Sequence, residues 1–193
     1  METETTQTEQ KREGDIVPFA LFKKRIRDES IEGDNPFKWV DVTTQDIFEA
    51  NRVVVFALPG AFTPTCSTYQ VPGFVEKRDA MRACGIDKVY VLSVNDTFVM
   101  RKWLLEQDCA GKIDFIPDGS AEFTKDMGMV LDMSAAGFGK RSRRYAMVVD
   151  NGVIEKMFVE PDASEDNPDP YGESTPENVL DYLRNVECQS RLG

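Results

Sequence analysis

The segment Pro59-Gly60-Ala61-Phe62-Thr63-Pro64-Thr65-Cys66 follows an apolar run, Val53-Val54-Val55-Phe56-Ala57-Leu58, and precedes a stretch that reads as a helix. The apolar run reads as a buried strand, so Cys66 stands at a strand-to-helix turn. Backbone N–H groups are unpaired at such a turn and the helix dipole is positive. That is a setting in which a protein can turn a thiol into a nucleophilic thiolate. A free thiol of pKa about 8.5 is only about 3% ionised at pH 7, and a shift of two units, about 2.7 kcal/mol, makes it roughly three-quarters ionised. A helix terminus supplies at most about 2 kcal/mol of this. The remainder calls for a fixed cation, and a guanidinium, which keeps its proton and presents donors in one plane, is the natural one. Thr63 lies three residues before Cys66, so at helical spacing a hydroxyl and a thiolate share one face. Pro59 and Pro64 stiffen the loop and remove two N–H groups.

The rest of the chain narrows the chemistry. Its 193 residues include four cysteines and no histidine. Ser-His and Cys-His catalysis are therefore excluded, and Cys66, Cys84, Cys109 and Cys188 show neither CxxC nor metal-ligand spacing. No metal and no organic cofactor is expected. A net charge of −11 argues against phosphate-driven nucleic-acid binding. No stretch approaches the ~20 apolar residues of a membrane span, and the acidic, polar N-terminus resembles neither a secretory signal nor a transit peptide. A cytoplasmic location is expected. Cys84 and Cys109 read as structural thiols at helix ends, and Cys188 as a tail thiol near a frayed terminus.

These residues need a scaffold. Residues 1–13 read as a disordered acidic tail, 14–187 as a single domain and 188–193 as a C-terminal tail. Val17 to Lys24 and Phe37 to Val42 suggest short edge strands, and Thr43 caps a short helix. Arg52 to Leu58 is the strand before the motif. Thr68 to Cys84 reads as a helix with a kink at Pro72-Gly73, closed by Gly85. Lys88 to Val94 is a second buried strand, and Asp96 caps a helix to about Gln107. Ile113 to Ile116 is a short strand, and Ala121 to Met127 a short helix. Arg144 to Val149 and Val153 to Val159 flank Asn151-Gly152, a strong hairpin signal. Glu160 to Ser174 is a loop rich in Pro and Asp, and Pro176 opens a last helix. The order predicts an α/β fold of thioredoxin type, with a central mixed β-sheet flanked by helices and N-terminal elaborations.

Pro59, Thr63 and Cys66 form Pro-x-x-x-Thr-x-x-Cys, which resembles the active-site motif of the peroxiredoxin family. The string through Cys66-Ser67, with Val71-Pro72-Gly73-Phe74 after it, resembles the type II, peroxiredoxin-5-like group. Leu92-Ser93-Val94-Asn95-Asp96, Phe98-Val99, Trp103, Arg144-Tyr145-Ala146-Met147-Val148-Val149 and Phe158-Val159-Glu160-Pro161 extend the likeness over roughly residues 14–186. Spacing alone does not choose among the basic residues of Lys140-Arg141-Ser142-Arg143-Arg144; the family register selects Arg144. The resemblance implies a thiol-dependent peroxidase acting on hydrogen peroxide and alkyl hydroperoxides. In that reading Cys66 is the nucleophile and passes through a sulfenic acid, Thr63 holds the peroxide, Arg144 stabilises the thiolate and the reacting oxygens, and Pro59 shields the sulfur. The activity would serve antioxidant defence and redox homeostasis. Many relatives carry a histidine shortly after the cysteine, where this chain reads Ser67-Thr68-Tyr69-Gln70. Some carry a resolving cysteine in the loop before the last helix, where this chain has none. The sulfenic acid is therefore expected to be reset by an external thiol: glutathione, glutaredoxin or thioredoxin. Exposed phenylalanine near the site would support a dimer contact, and the resemblance implies a homodimer. The competing readings are a thioredoxin-type disulfide oxidoreductase, which the missing CxxC disfavours, and a non-enzymatic peroxide sensor signalling through Cys66 oxidation.

Overall fold

The computed structural model describes residues 8–190, and the side chains of residues 8–187. In chain order its elements are β1 (Leu21–Arg27), β2 (Phe37–Thr43), α1 (Thr44–Phe48), β3 (Arg52–Ala57), a π-helical turn (Cys66–Gln70), α2 (Val71–Ala83), β4 (Lys88–Ser93), α3 (Thr97–Glu106), β5 (Asp114–Pro117), α4 (Glu122–Asp126), β6 (Val130–Asp132), β7 (Lys140–Ser142), β8 (Tyr145–Asp150), β9 (Val153–Val159) and α5 (Pro176–Ser190). Five strands form the central sheet in the order β5-β4-β3-β8-β9. The β3–β4 and β4–β5 pairs are parallel, and β3–β8 and β8–β9 are antiparallel. This is the expected mixed sheet.

Strand β3 lies at its centre and is buried on both faces because its side chains alternate. Val54 and Phe56 face a core built with Val71, Phe74 and Met81 of α2, Trp103 of α3 and Val179 and Leu183 of α5. Val53, Val55 and Ala57 face the opposite core, closed by Phe22, Phe48 and Phe123 from β1, α1 and α4. The Phe56 and Phe74 rings stack with centroids 4.0 Å apart, locking α2 beneath β3. Phe74→Ala is expected to lower unfolding free energy by about 3–5 kcal/mol. Urea denaturation checks this, and a loss under ~1 kcal/mol would show that the stack is not a core contact.

Several expectations hold closely. Thr43 caps α1 in a reciprocal capping box with Asp46. Asp96 caps α3 by accepting from the N–H groups of Phe98 and Val99. Asn151 and Gly152 both adopt left-handed φ, +47° and +81°, as a tight hairpin turn requires.

Others are corrected. The first strand covers Leu21–Arg27, not Val17 to Lys24, and pairs only with β2 in a separate two-stranded sheet. The single helix expected from Thr68 to Cys84, with an irregularity at Pro72-Gly73, is instead a π turn, Cys66–Gln70, that runs directly into α2, so the irregularity lies just before Pro72, which has no N–H to give to the preceding turn. The β6–β7 hairpin was not foreseen, because its three-residue strands carry too little alternation to read. Residues 8–13, expected in a disordered tail, lie on the body: Lys11 N–H donates to the Met127 carbonyl at 3.0 Å, and Gln10 packs so close to Gly128 that no side chain fits there. Residues 1–7 of that tail lie outside the described residues. At the other end α5 runs to Ser190, past the boundary placed at 187.

Candidate active site

The turn after β3 is shaped by close contacts. A Cβ added to Gly60 would lie 3.0 Å from Arg141 Nη1 and 3.4 Å from Thr63 Cγ2, so a side chain there would push on the Arg141 guanidinium. Phe62 holds φ +64°, a left-handed conformation uncommon for a bulky residue and one that clusters at functional sites. Ala61 N–H donates to Asn95 Oδ1 at 3.0 Å, and the same oxygen accepts from Ser93 Oγ at 2.6 Å, tying the turn to the end of β4. Helical backbone begins at Pro64. Its first bond past the cap runs from Ser67 N–H to the Thr63 carbonyl at 3.0 Å. The N–H groups of Thr65 and Cys66 therefore fall in the first turn, where the helix offers no acceptor. The π turn closes through Val71 N–H to the Cys66 carbonyl, and Trp103 Nε1 pins it to α3 by donating to Ser67 Oγ at 3.0 Å. Such turns recur at functional sites.

Cys66 is fully buried. Arg144, the residue before β8, is 5% exposed, and its Nη1 donates to Cys66 Sγ at 3.4 Å. The same Nη1 donates to Gln70 Oε1, and Gln70 Nε2 donates to the Ala57 carbonyl at 3.3 Å. Nη2 donates to Asp169 Oδ1 at 2.6 Å, and the Tyr171 ring centre lies 5.6 Å from Cζ. Burial opposes the Arg144 charge, but Cys66 and Asp169 outweigh it, so the guanidinium is held above its ordinary value and stays charged. The neighbouring arginines go elsewhere. Arg141 donates to the carbonyls of Phe138 and Val94, and Arg143 to Asp162.

Thr63 Oγ1 donates to the Gly60 carbonyl at 2.8 Å, leaving its lone pairs free to accept. Pro59 and Arg144 share the wall of a cavity of about 240 Å³ with Leu131 and Met133. On the other side Thr65 and Tyr69 border one of about 470 Å³ with Asp169 and Tyr171. The loop from Glu160 to Ser174 runs between them. The Glu160 carboxylate, 3% exposed, fastens it by accepting from the N–H groups of Gly172, Glu173 and Ser174 and from Ser174 Oγ.

Cys66 and Arg144 are in direct contact, Pro59 shares a cavity wall with Arg144, and Thr63 stands at the start of the helix that carries Cys66. Gln70, Asp169 and Tyr171 were not foreseen. Gln70 follows Cys66 by one helical spacing, a signal that was present; Asp169 and Tyr171 come from a loop with no periodicity to read. Cys84 and Cys109 are buried and free, and burial pushes both thiols up, away from reactivity. The Cys188 side chain lies outside the described residues.

The Redoxin family profile matches residues 38–173. Peroxiredoxin sll1621 of Synechocystis is 48% identical over 173 residues, spanning 89% of this chain and 91% of that one. The chain belongs to the peroxiredoxin family. Hybrid peroxiredoxin hyPrx5 of Haemophilus influenzae, 47% identical over 89% of this chain and 66% of its own length, agrees with the type II, peroxiredoxin-5-like group. Reduced Prx3 of Vibrio vulnificus, solved in complex with hydrogen peroxide, superimposes with a TM-score of 0.78 at 35% identity, covering 90% of this chain and 99% of that one. This peroxiredoxin is accordingly a thiol-dependent peroxidase with a thioredoxin-like fold, an antioxidant oxidoreductase that takes a peroxide substrate and a thiol reductant.

Proposed function

We propose that Cys66 is the peroxidatic nucleophile, assisted by Arg144, Thr63 and Pro59. The observation that supports this best is the guanidinium of Arg144 donating to the Cys66 sulfur from a buried position. The thiolate attacks the distal peroxide oxygen; the S–O bond forms as the O–O bond breaks, and the leaving oxygen takes a proton to depart as water or alcohol. Sulfur is oxidised by two electrons to a sulfenic acid. Arg144 and the N–H groups of Thr65 and Cys66 stabilise charge as it develops on the oxygens. Thr63 Oγ accepts a hydrogen bond from the peroxide, and Pro59 walls the cavity beside Arg144. The Prx3 relative solved with hydrogen peroxide supports a pocket for a small two-oxygen substrate.

Resetting uses two external thiols. The first condenses with the sulfenic acid to a mixed disulfide and water, and the second releases Cys66 and leaves the reductant as a disulfide. The loop from Glu160 to Ser174 contains no cysteine, which supports an external rather than an internal resolving thiol. Peroxide consumption coupled to glutathione with glutaredoxin, run beside thioredoxin with its reductase, identifies the donor. Turnover is expected with one of the two systems. Oxidation of Cys66 with no turnover under either would reject the enzyme cycle in favour of a sensor.

The protein acts as a cytoplasmic homodimer in this reading. Among the described residues no helix is long and apolar enough to cross a membrane. Phe62 and Phe98 are about half exposed, at 50% and 51%, and Phe98 meets the exposed Trp39 edge-on at 5.5 Å. This apolar surface suits a second copy.

A further inference from the structure

The loop that crosses the site both begins and returns at Arg144. Glu160 N–H donates to the Arg144 carbonyl at 3.1 Å, and nine residues later Asp169 Oδ1 receives Arg144 Nη2 at 2.6 Å. Beyond Asp169 the backbone is clamped by the buried Glu160 carboxylate at Gly172, Glu173 and Ser174, and Tyr171 lies beside the guanidinium. Arg144 Nε has no partner among the described residues, so the terminal nitrogens alone orient the group. The guanidinium is a rigid planar fork. Fixing Nη2 on one side therefore fixes where Nη1 points on the other, and Nη1 points at Cys66 Sγ.

We propose that Asp169 is a positioning residue for peroxide reduction, acting through Arg144 from the loop between β9 and α5. The inference rests on the assignment of Arg144 as the cation at Cys66. Two opposing effects follow from removing Asp169. The arginine loses its outer anchor, which slows the reaction. It also loses an anion that offsets its charge, which speeds it. The Asp169 side chain is 49% exposed while that of Arg144 is 4% exposed, so water screens the charge effect, whereas among the described residues Asp169 alone accepts from Nη2. Orientation outweighs charge, and the net effect is a slower reaction.

The test is the second-order rate of Cys66 oxidation by hydrogen peroxide, followed by stopped-flow tryptophan fluorescence on the full chain. Asp169→Ala is expected to react about tenfold more slowly, and Asp169→Asn, which keeps the acceptor oxygen, within about threefold of wild type. In an Arg144→Ala background, Asp169→Ala is expected to add no further loss, because its action passes through the missing guanidinium. An undiminished or faster rate in Asp169→Ala overturns the proposal. So does a tenfold loss that persists in the Arg144→Ala background, which would mark Asp169 as a fastener of the loop only. If Asp169→Ala does not fold, Asp169→Asn carries the test, through the absence of any added effect beside Arg144→Ala and through loss of an Arg144-dependent rate when the acceptor is removed in Asp169→Leu. The rate of Arg144→Ala alone separates this proposal from its foundation: an unchanged rate there removes the role of Arg144 itself.

Discussion

Cys66→Ser is expected to abolish hydroperoxide reduction, with the rate falling by roughly 10⁴-fold or more. A serine hydroxyl at this turn keeps the size and shape of the site but does not ionise near neutral pH, and it cannot form a sulfenic acid. No other described thiol can take over. Cys84 and Cys109 are buried, with burial pushing their thiols up, and the Cys109 thiol is committed to the Gln107 carbonyl at 3.0 Å. The fold should survive, because Cys66 packs among Val54, Phe56 and Phe74, contacts that a hydroxymethyl group only slightly reduces. Two measurements check this. Coupled peroxide consumption reads turnover, and mass spectrometry after one equivalent of peroxide reads where oxygen is added in the wild type. Full turnover in Cys66→Ser, or oxygen found on Cys84 or Cys109 instead, would end the assignment.

The parts of this molecule that were readable in advance are those where local chemistry leaves one solution. The Asn151-Gly152 turn and the Thr43 and Asp96 caps satisfy backbone needs with neighbours in sequence, and the unbroken apolar run of β3 marks a strand buried on both faces. The motif from Pro59 to Cys66 was readable from its residue types and spacing after an apolar strand and from its resemblance to a family motif, although Asn95 also ties the turn in place. What surrounds Cys66 was not. Gln70 reaches Arg144 across 74 positions and Asp169 reaches it across 25. Those contacts are decided by how β8 lies beside β3 and how the loop after β9 folds back, which no local pattern encodes. The π turn is a further case. Its wider winding brings Gln70 into contact with the same guanidinium nitrogen as Cys66, but the residues Cys66-Ser67-Thr68-Tyr69-Gln70 carry no mark that separates it from an α-helix. Glu160 shows the converse. It was visible as part of Phe158-Val159-Glu160-Pro161, yet its work as a buried clamp on three N–H groups and one hydroxyl is legible only in the folded chain.

Arg144→Ala is expected to slow peroxide attack by roughly 10²–10³-fold, the range seen when one donor to a developing oxyanion is removed. Two losses combine. The cation that favours the thiolate goes, and so does the donor aimed at the reacting oxygens. Arg144→Lys is expected to fall between the two, because an ammonium keeps the charge but cannot grip Asp169 with one arm and face Cys66 with the other. Stability also drops in Arg144→Ala, since Gln70 Oε1, fully buried, loses its donor at a cost of about 1–3 kcal/mol. A variant that melted early but attacked peroxide within twofold of the wild-type rate would make Arg144 a structural brace.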